Sequence, residues 1–182
     1  LLGISLSSAM VITDIQIWST TAPAATVAAY GVLNRIMTFA FLPLLGVTMA
    51  CQSIAGNNFG AGLHDRVRTT LKVAFGIAVI YAIMFEAVFM FLARPVGSLF
   101  VADLQVIDEV ARVMPITTIT YVLSAPLMIV GGYYQALGMA GSAAILNLVR
   151  TYVIGLPLLA LLPVVAGEFG IWIAYPLGDV VM

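Results

Sequence analysis

Asp14, Arg35, Glu86, Arg150 and Asp179 stand inside otherwise apolar runs of the sequence. An ionisable group is expensive to keep in such surroundings, so it points to work: binding a cation, carrying a proton or pairing with an opposite charge. Asp14, Arg35, Glu86 and Asp179 each fall a similar number of residues from one end of their run. At the helical rise that puts them roughly 12–14 Å deep. Arg150 falls at a similar depth from the other end. A shared level predicts convergence on a single polar cavity, with Asp14 or Glu86 within reach of Arg35. A buried Asp–Arg pair can equally do no more than hold two helices in register. A carboxyl such as Glu86, if its access alternates between the two sides, is also the simplest proton-coupling device. Tyr121, with Thr117, Thr118 and Thr120, adds hydroxyls to the same zone. Tyr133, Tyr134 and Gln135 cluster near a run end, where aromatic residues anchor helices at an interface.

Other chemistries find little support. The sequence has 1 His and 1 Cys, too few for the usual zinc clusters. It has no Gly-x4-Gly-Lys-Ser/Thr loop to cradle a nucleotide phosphate. Net charge is −1, which gives no electrostatic footprint for nucleic acid. No nucleophile–base constellation suggests an enzyme. Cys51 lies in an apolar run and reads as a small buried residue.

The elements that must position these groups are membrane helices. Apolar residues make up 63% of the chain and charged residues 8%, against about 25% charged in soluble domains. Mean hydropathy is +1.14. Runs long enough to cross a bilayer, about 20 residues each, are expected at 2–21, 27–53, 71–93, 113–136 and 142–162. A further span begins at 170 and is cut at 182. The chain opens and stops within apolar runs, which predicts a piece of a longer protein. Arg94-Pro95 is expected to close the third span, with 97–103 as a loop. Leu104–Arg112 alternates apolar and charged residues at helical spacing, as a short interfacial helix does. Pro43, Pro115, Pro126 and Pro157 are candidate bending points. Arg66, Arg68 and Lys72 in the loop expected at 62–72 outweigh Arg94 and Arg112 on the other side, which places that loop in the cytoplasm.

The stretch Gln52-Ser-Ile-Ala-Gly56-Asn-Asn58-Phe-Gly60-Ala-Gly62 reads as the cytoplasmic exit of a tightly packed helix. Its small residues let a neighbouring backbone come close. Gly60 and Gly62 can end the helix at positive φ, and Asn57 and Asn58 can satisfy carbonyls left free there.

Four motifs in order give a family resemblance. They are Val27-Ala-Ala-Tyr30-Gly-Val32 with Arg35 and Leu42-Pro-Leu-Leu-Gly46; Gln52-x3-Gly56-x-Asn58-x-Gly60-Ala-Gly62 followed by Asp65-Arg-Val67; Gly132-Tyr-Tyr-Gln-Ala-Leu-Gly138; and Trp172-x2-Ala174-Tyr-Pro-Leu177. Together they resemble the second half of the multidrug and toxic compound extrusion (MATE) family. Ser53 departs from the pattern, where members often carry Pro after the glutamine.

The resemblance implies an all-α integral membrane fold, a six-helix lobe of a twelve-helix transporter with two lobes related by pseudo-two-fold symmetry. This chain would be the second lobe, helices seven to twelve, and its partner the missing N-terminal lobe. The implied activity is antiport of cationic or amphipathic drugs against H+ or Na+, with no other cofactor, in a bacterial inner (plasma) membrane. Asp14 lies near the place where some members carry a cation-binding acid, making it a candidate Na+ ligand. Those members supply a further acid from the tenth helix. The matching stretch here, Val113–Ala136, has no Asp or Glu, which argues against a sodium site of that kind. A lipid-linked oligosaccharide flippase of the same superfamily and a non-transporting membrane scaffold are the alternatives.

Overall fold

A computed structural model describes residues 2–19, 23–139, 141, 144–145 and 148–180, with the side chains of residues 2–6, Arg150, Tyr175 and Asp179 outside that description. The described chain is helical: α1 (Leu2–Trp18), α2 (Pro23–Gly60), α3 (His64–Phe91), α4 (Ala93–Ser98), α5 (Leu104–Thr118), α6 (Tyr121–Ala136), a π-helical segment (Val149–Gly155), α7 (Leu156–Ala166) and α8 (Glu168–Val180).

The α2 helix is the spine, with 38 residues. At the α-helical rise it is roughly 57 Å long, well beyond a hydrocarbon core of about 30 Å. It therefore runs on past the expected span end at Ser53 and carries the whole Gln52–Gly60 stretch as helix. Its stop is a Schellman motif. Gly62 takes φ +73°, Leu63 N–H donates to the Asn58 carbonyl at 2.9 Å, and Gly62 N–H donates to the Phe59 carbonyl at 3.0 Å. The Asn58 side chain turns back and donates to the Ile54 carbonyl at 2.8 Å.

The basic segment expected as a loop at 62–72 is helical from His64 onward, leaving only a tight turn at Ala61–Leu63. Hydropathy marks where lipid ends, not where a helix ends. Arg66, Arg68 and Lys72 form solvated turns at the head of α3. Arg94 and Pro95 likewise do not simply close the third span. They lie inside the short helix α4, where Pro is tolerated in the first turn.

The expected interfacial helix and fourth span are divided differently. One helix, α5, runs Leu104–Thr118, capped by Asp103, whose Oδ1 accepts from Gln105 N–H at 2.9 Å. The chain then breaks at Ile119–Thr120 and resumes as α6, bent by 53°. Pro115 and Pro126 sit inside the two halves rather than at the break. The Thr117 and Thr118 hydroxyls donate back to the Met114 carbonyl at 3.0 and 2.9 Å, a pattern that loosens helices. Pro126 offers no N–H to the Val122 carbonyl one turn earlier, which weakens the start of α6. Pro157 does the same to Val153, inside the π-helical segment.

By length and composition α2 and α3 can each cross a membrane, and so can the bent α5–α6 pair taken as one span. Two apolar cores hold the bundle. Val11, Ile15, Leu33, Ile36, Met114 and Trp172 join α1, α2, α5 and α8. Leu44, Cys51, Ala78, Ala82, Ala125 and Ile129 join α2, α3 and α6. Cys51 is buried there, as its surroundings predict. Ala74, Ala78 and Ala82 recur every fourth residue along α3 and are all buried, a small-residue stripe for close helix approach. The opposite flank of α3 leaves Ile77, Ile80, Ile83 and Met84 exposed, as a lipid-facing surface requires.

Candidate functional site

A cavity of about 340 Å³ opens between α1, α2, α8 and the α5–α6 break. Its walls follow from helical spacing. Tyr30, Leu33, Asn34 and Met37 recur at intervals of three and four and form one stripe of α2. Ser7 and Ser8 come from α1, and Trp172 comes from α8. The break contributes Thr117, Thr120, Tyr121 and Ser124. The Tyr30 and Trp172 rings meet at a centroid distance of 6.5 Å, and Tyr30 Oη lies 3.4 Å from Ser8 Oγ. None of these lining residues carries a formal charge.

The ionisable groups expected at one depth do not gather on this cavity. Among the described residues, Asp14, Arg35 and Glu86 all lie off its walls, and none of the three makes an ion pair. Arg35 is exposed, although Asn34 beside it lines the cavity. Successive residues on a helix turn by about 100°, so depth alone does not fix direction. Asp14 is half-buried on α1, and its Oδ2 is buried with no hydrogen-bond partner among the described residues. Glu86 reaches across from α3, where its Oε2 accepts the backbone N–H of Val122 at 3.3 Å. The side chains of Arg150 and Asp179 fall outside the described residues. Their backbones lie in the π-helical segment and in α8.

Tyr121 is the expected site residue that does line the cavity. Its hydroxyl donates to the Ala40 carbonyl at 3.0 Å, and Tyr81 from α3 donates to the same carbonyl at 2.8 Å. Ala40 stands just before Pro43, within the stretch of α2 that the proline perturbs. Two hydroxyls, one carbonyl and the Glu86–Val122 contact thus tie the middle of α2 and the later half of α3 to the start of α6.

The Gln52 motif has a structural task at the other end of that contact. Gln52 Nε2 lies 3.4 Å from Gln135 Oε1. A Cβ built on Gly132 would stand 2.5 Å from Thr48 Cγ2 and 3.0 Å from Gln52 Nε2. The glycine that lets α2 and α6 touch is therefore Gly132. Gly56 meets only ordinary contacts, its nearest neighbour being the Ala136 carbonyl at 3.5 Å, and Gly60 has open space.

A polar chain that composition did not single out spans the far end of the bundle from the basic head of α3. Ser19 Oγ lies 3.3 Å from Thr26 Oγ1, and Thr26 donates to Glu109 Oε2 at 3.4 Å. Arg112 then bonds both Glu109, at 2.6 Å, and Glu168. Arg94 pairs with Asp108 at 2.9 Å on the exposed side of α5. The three-residue spacing of Glu109 and Arg112 in the sequence signals their pair. The Glu168 contact arises only when α5 and α8 are brought together.

The chain's relatives agree with this architecture. It is 28% identical over 146 residues to "Multidrug and toxin extrusion protein 1" of Homo sapiens, covering 79% of this chain and 26% of that protein. A solved structure of the MATE multidrug transporter DinF-BH matches with a TM-score of 0.77 and 35% identity, over 85% of this chain and 35% of that one. An outward-facing multidrug resistance MATE family transporter of the MOP superfamily matches in fold, with a TM-score of 0.84 at 21% identity, over 99% of this chain and 40% of that one. The chain thus spans well under half the length of each. The helical architecture is that of a membrane lobe in a two-lobed transporter, and the MatE family model matches residues 1–161. The chain belongs to the MatE family.

Proposed function

We propose that the full-length protein containing this lobe exports cationic or amphipathic small molecules by alternating access, in exchange for H+ or Na+. The carrying observation is the cavity of about 340 Å³ walled by hydroxyls and by the rings of Tyr30, Tyr121 and Trp172. Its volume falls within the range of small-molecule pockets, about 300–1,000 Å³. An aromatic face attracts a lipophilic cation without a buried counter-charge, by about 0.5–2 kcal/mol per contact. Hydroxyls supply donors and acceptors that suit varied ligands. The missing lobe would complete the chamber.

Asp14 is the residue we assign to ion coupling within this lobe, because its Oδ2 is a buried carboxylate oxygen with no partner among the described residues. Among the same residues no group of three His, Cys, Asp or Glu is placed to hold a metal ion. The ion carried at Asp14 is a proton or Na+, and the two gradients below separate them. Ion and drug need not touch the same atoms to compete, provided each prefers a different conformation.

The test is transport of the lipophilic cation ethidium into everted vesicles bearing the full-length protein, with a pH gradient or a Na+ gradient imposed separately. Transport driven by one gradient and lost in Asp14→Asn is the expected result. Transport kept in the mutant would move coupling to the other lobe. No transport under either gradient would overturn drug export and direct attention to lipid-linked substrates or a non-transporting role.

A further inference from the structure

We infer that Glu86 is a positioning residue: by accepting the Val122 N–H it fixes the start of α6, and through it the place of Tyr121 and Ser124 in the cavity wall. The inference rests on reading that cavity as the substrate site.

The break at Ile119–Thr120 creates a need. A helix that starts afresh leaves its first N–H groups without carbonyl partners, and at membrane depth no water replaces them. The amides of Leu123 and Ser124 reach the Thr120 carbonyl at 2.9 and 3.0 Å. The Thr120 side chain does not cap the helix. Val122 N–H is met instead by Glu86 Oε2, from a different helix, at 3.3 Å. A carboxylate is also favoured electrostatically at a helix N-terminus. The opposite side of the same residue is weakened, since Pro126 cannot donate to the Val122 carbonyl. Glu86 therefore braces Val122, a residue whose own carbonyl lacks the Pro126 donor.

The consequence reaches the cavity through short covalent paths. Tyr121 precedes Val122, and its ring packs on Phe85, the residue before Glu86, at a centroid distance of 4.9 Å. Ser124 follows two residues later. Among the described residues Glu86 makes no ion pair and does not line the cavity. It acts on the ligand through α6, not by contact, and its acceptor oxygen matters more than its charge.

Two conservative variants separate reach from charge. Glu86→Gln keeps the length and an acceptor oxygen but loses the charge. Glu86→Asp keeps the charge but withdraws the carboxyl by about 1.5 Å, the length of one C–C bond. Purified full-length protein is read in two ways, by amide hydrogen exchange over residues 119–126 and by equilibrium affinity for ethidium. In E86D, exchange over 119–126 should rise and ethidium affinity should fall, each about tenfold, as loss of one buried hydrogen bond implies. E86Q should keep most of both, within about fivefold of wild type, since a neutral acceptor still bonds the amide but more weakly than a charged one. E86Q as impaired as E86D, or more so, would show that charge is what matters and overturn the inference. Wild-type exchange in E86D would remove the cap. Faster exchange with unchanged affinity would detach Glu86 from the cavity. Wild-type protein that fails to bind ethidium would sink the substrate-site reading instead, while the exchange arm still decides whether Glu86 caps α6.

Discussion

At the scale of single residues, glycines show how a motif and a structural need can diverge. Gly56 belongs to the family-like stretch, yet an added methyl would meet the Ala136 carbonyl at 3.5 Å, an ordinary contact. Gly56→Ala should therefore be neutral or raise stability by up to about 1 kcal/mol through helix propensity. Gly62 stands at φ +73°, and Gly62→Ala should cost about 1 kcal/mol from the left-handed backbone alone. Gly170→Ala should be the most damaging. Its Cβ would fall on the Leu162 carbonyl and the Pro163 nitrogen, backbone atoms that cannot swing aside. A loss of about 3 kcal/mol or more is expected from such overpacking. Thermal melting of the full-length variants should rank them Gly56→Ala, Gly62→Ala, Gly170→Ala in falling stability. A Gly56→Ala variant less stable than Gly170→Ala would contradict the packing described here.

The positive-φ role of Gly62 was legible because helix ends have few solutions, but Gly60, offered equally, stays within α2. Tyr121 was legible as a hydroxyl in an apolar run. The cavity as a whole was not. Counting residues from a span end predicts a depth but not a direction, and Asp14, Arg35 and Glu86 do not meet on the cavity. Tyr30, Asn34 and Met37 carry the helical spacing of a common face, but nothing in the sequence separates a cavity-facing stripe from a packed one. Glu86 as a cap was out of reach, because its partner exists only where another helix breaks.

At the scale of elements, the bent α5–α6 pair is the informative case. No Gly or Pro occupies Ile119 or Thr120; of the two breaker signals, Pro115 lies before the break and Pro126 acts just after it, at Val122. The break arises from back-bonding threonines before it and a missing donor after it. The start of α5, by contrast, obeys local rules. Asp103 caps it, and Asp103→Ala should lower stability by about 1 kcal/mol. Arg112 adds an ionic bridge to the apolar α5–α8 contact, serving Glu109 and Glu168 together. Its side chain is 45% exposed, so the bridge is screened and its worth modest, about 1 kcal/mol. Arg112→Gln should lower the melting temperature by a few degrees. Adding Glu168→Gln should recover part of that loss by removing one of two carboxylates left facing each other. A double variant less stable than Arg112→Gln alone would show that repulsion between them is negligible.

At the scale of the whole molecule, fold class was the most legible property, because an apolar fraction of 63% leaves no route to a soluble surface. The bundle has two cores, and the cavity lies beside the first, bounded by a polar tie and an ion cluster at the end far from the basic head of α3. On the proposed function, the uncharged cavity wall is the surface that meets the ligand. The most direct measurement is the equilibrium affinity of the purified full-length protein for ethidium, comparing wild type with Ser8→Phe and Ser124→Phe. These place a ring into the cavity from α1 and from α6. Both folded variants should bind about tenfold or more weakly, as expected when a pocket no longer accepts the ligand's apolar surface. Undiminished affinity in both, with melting temperatures near wild type, would contradict the assignment of this cavity to substrate.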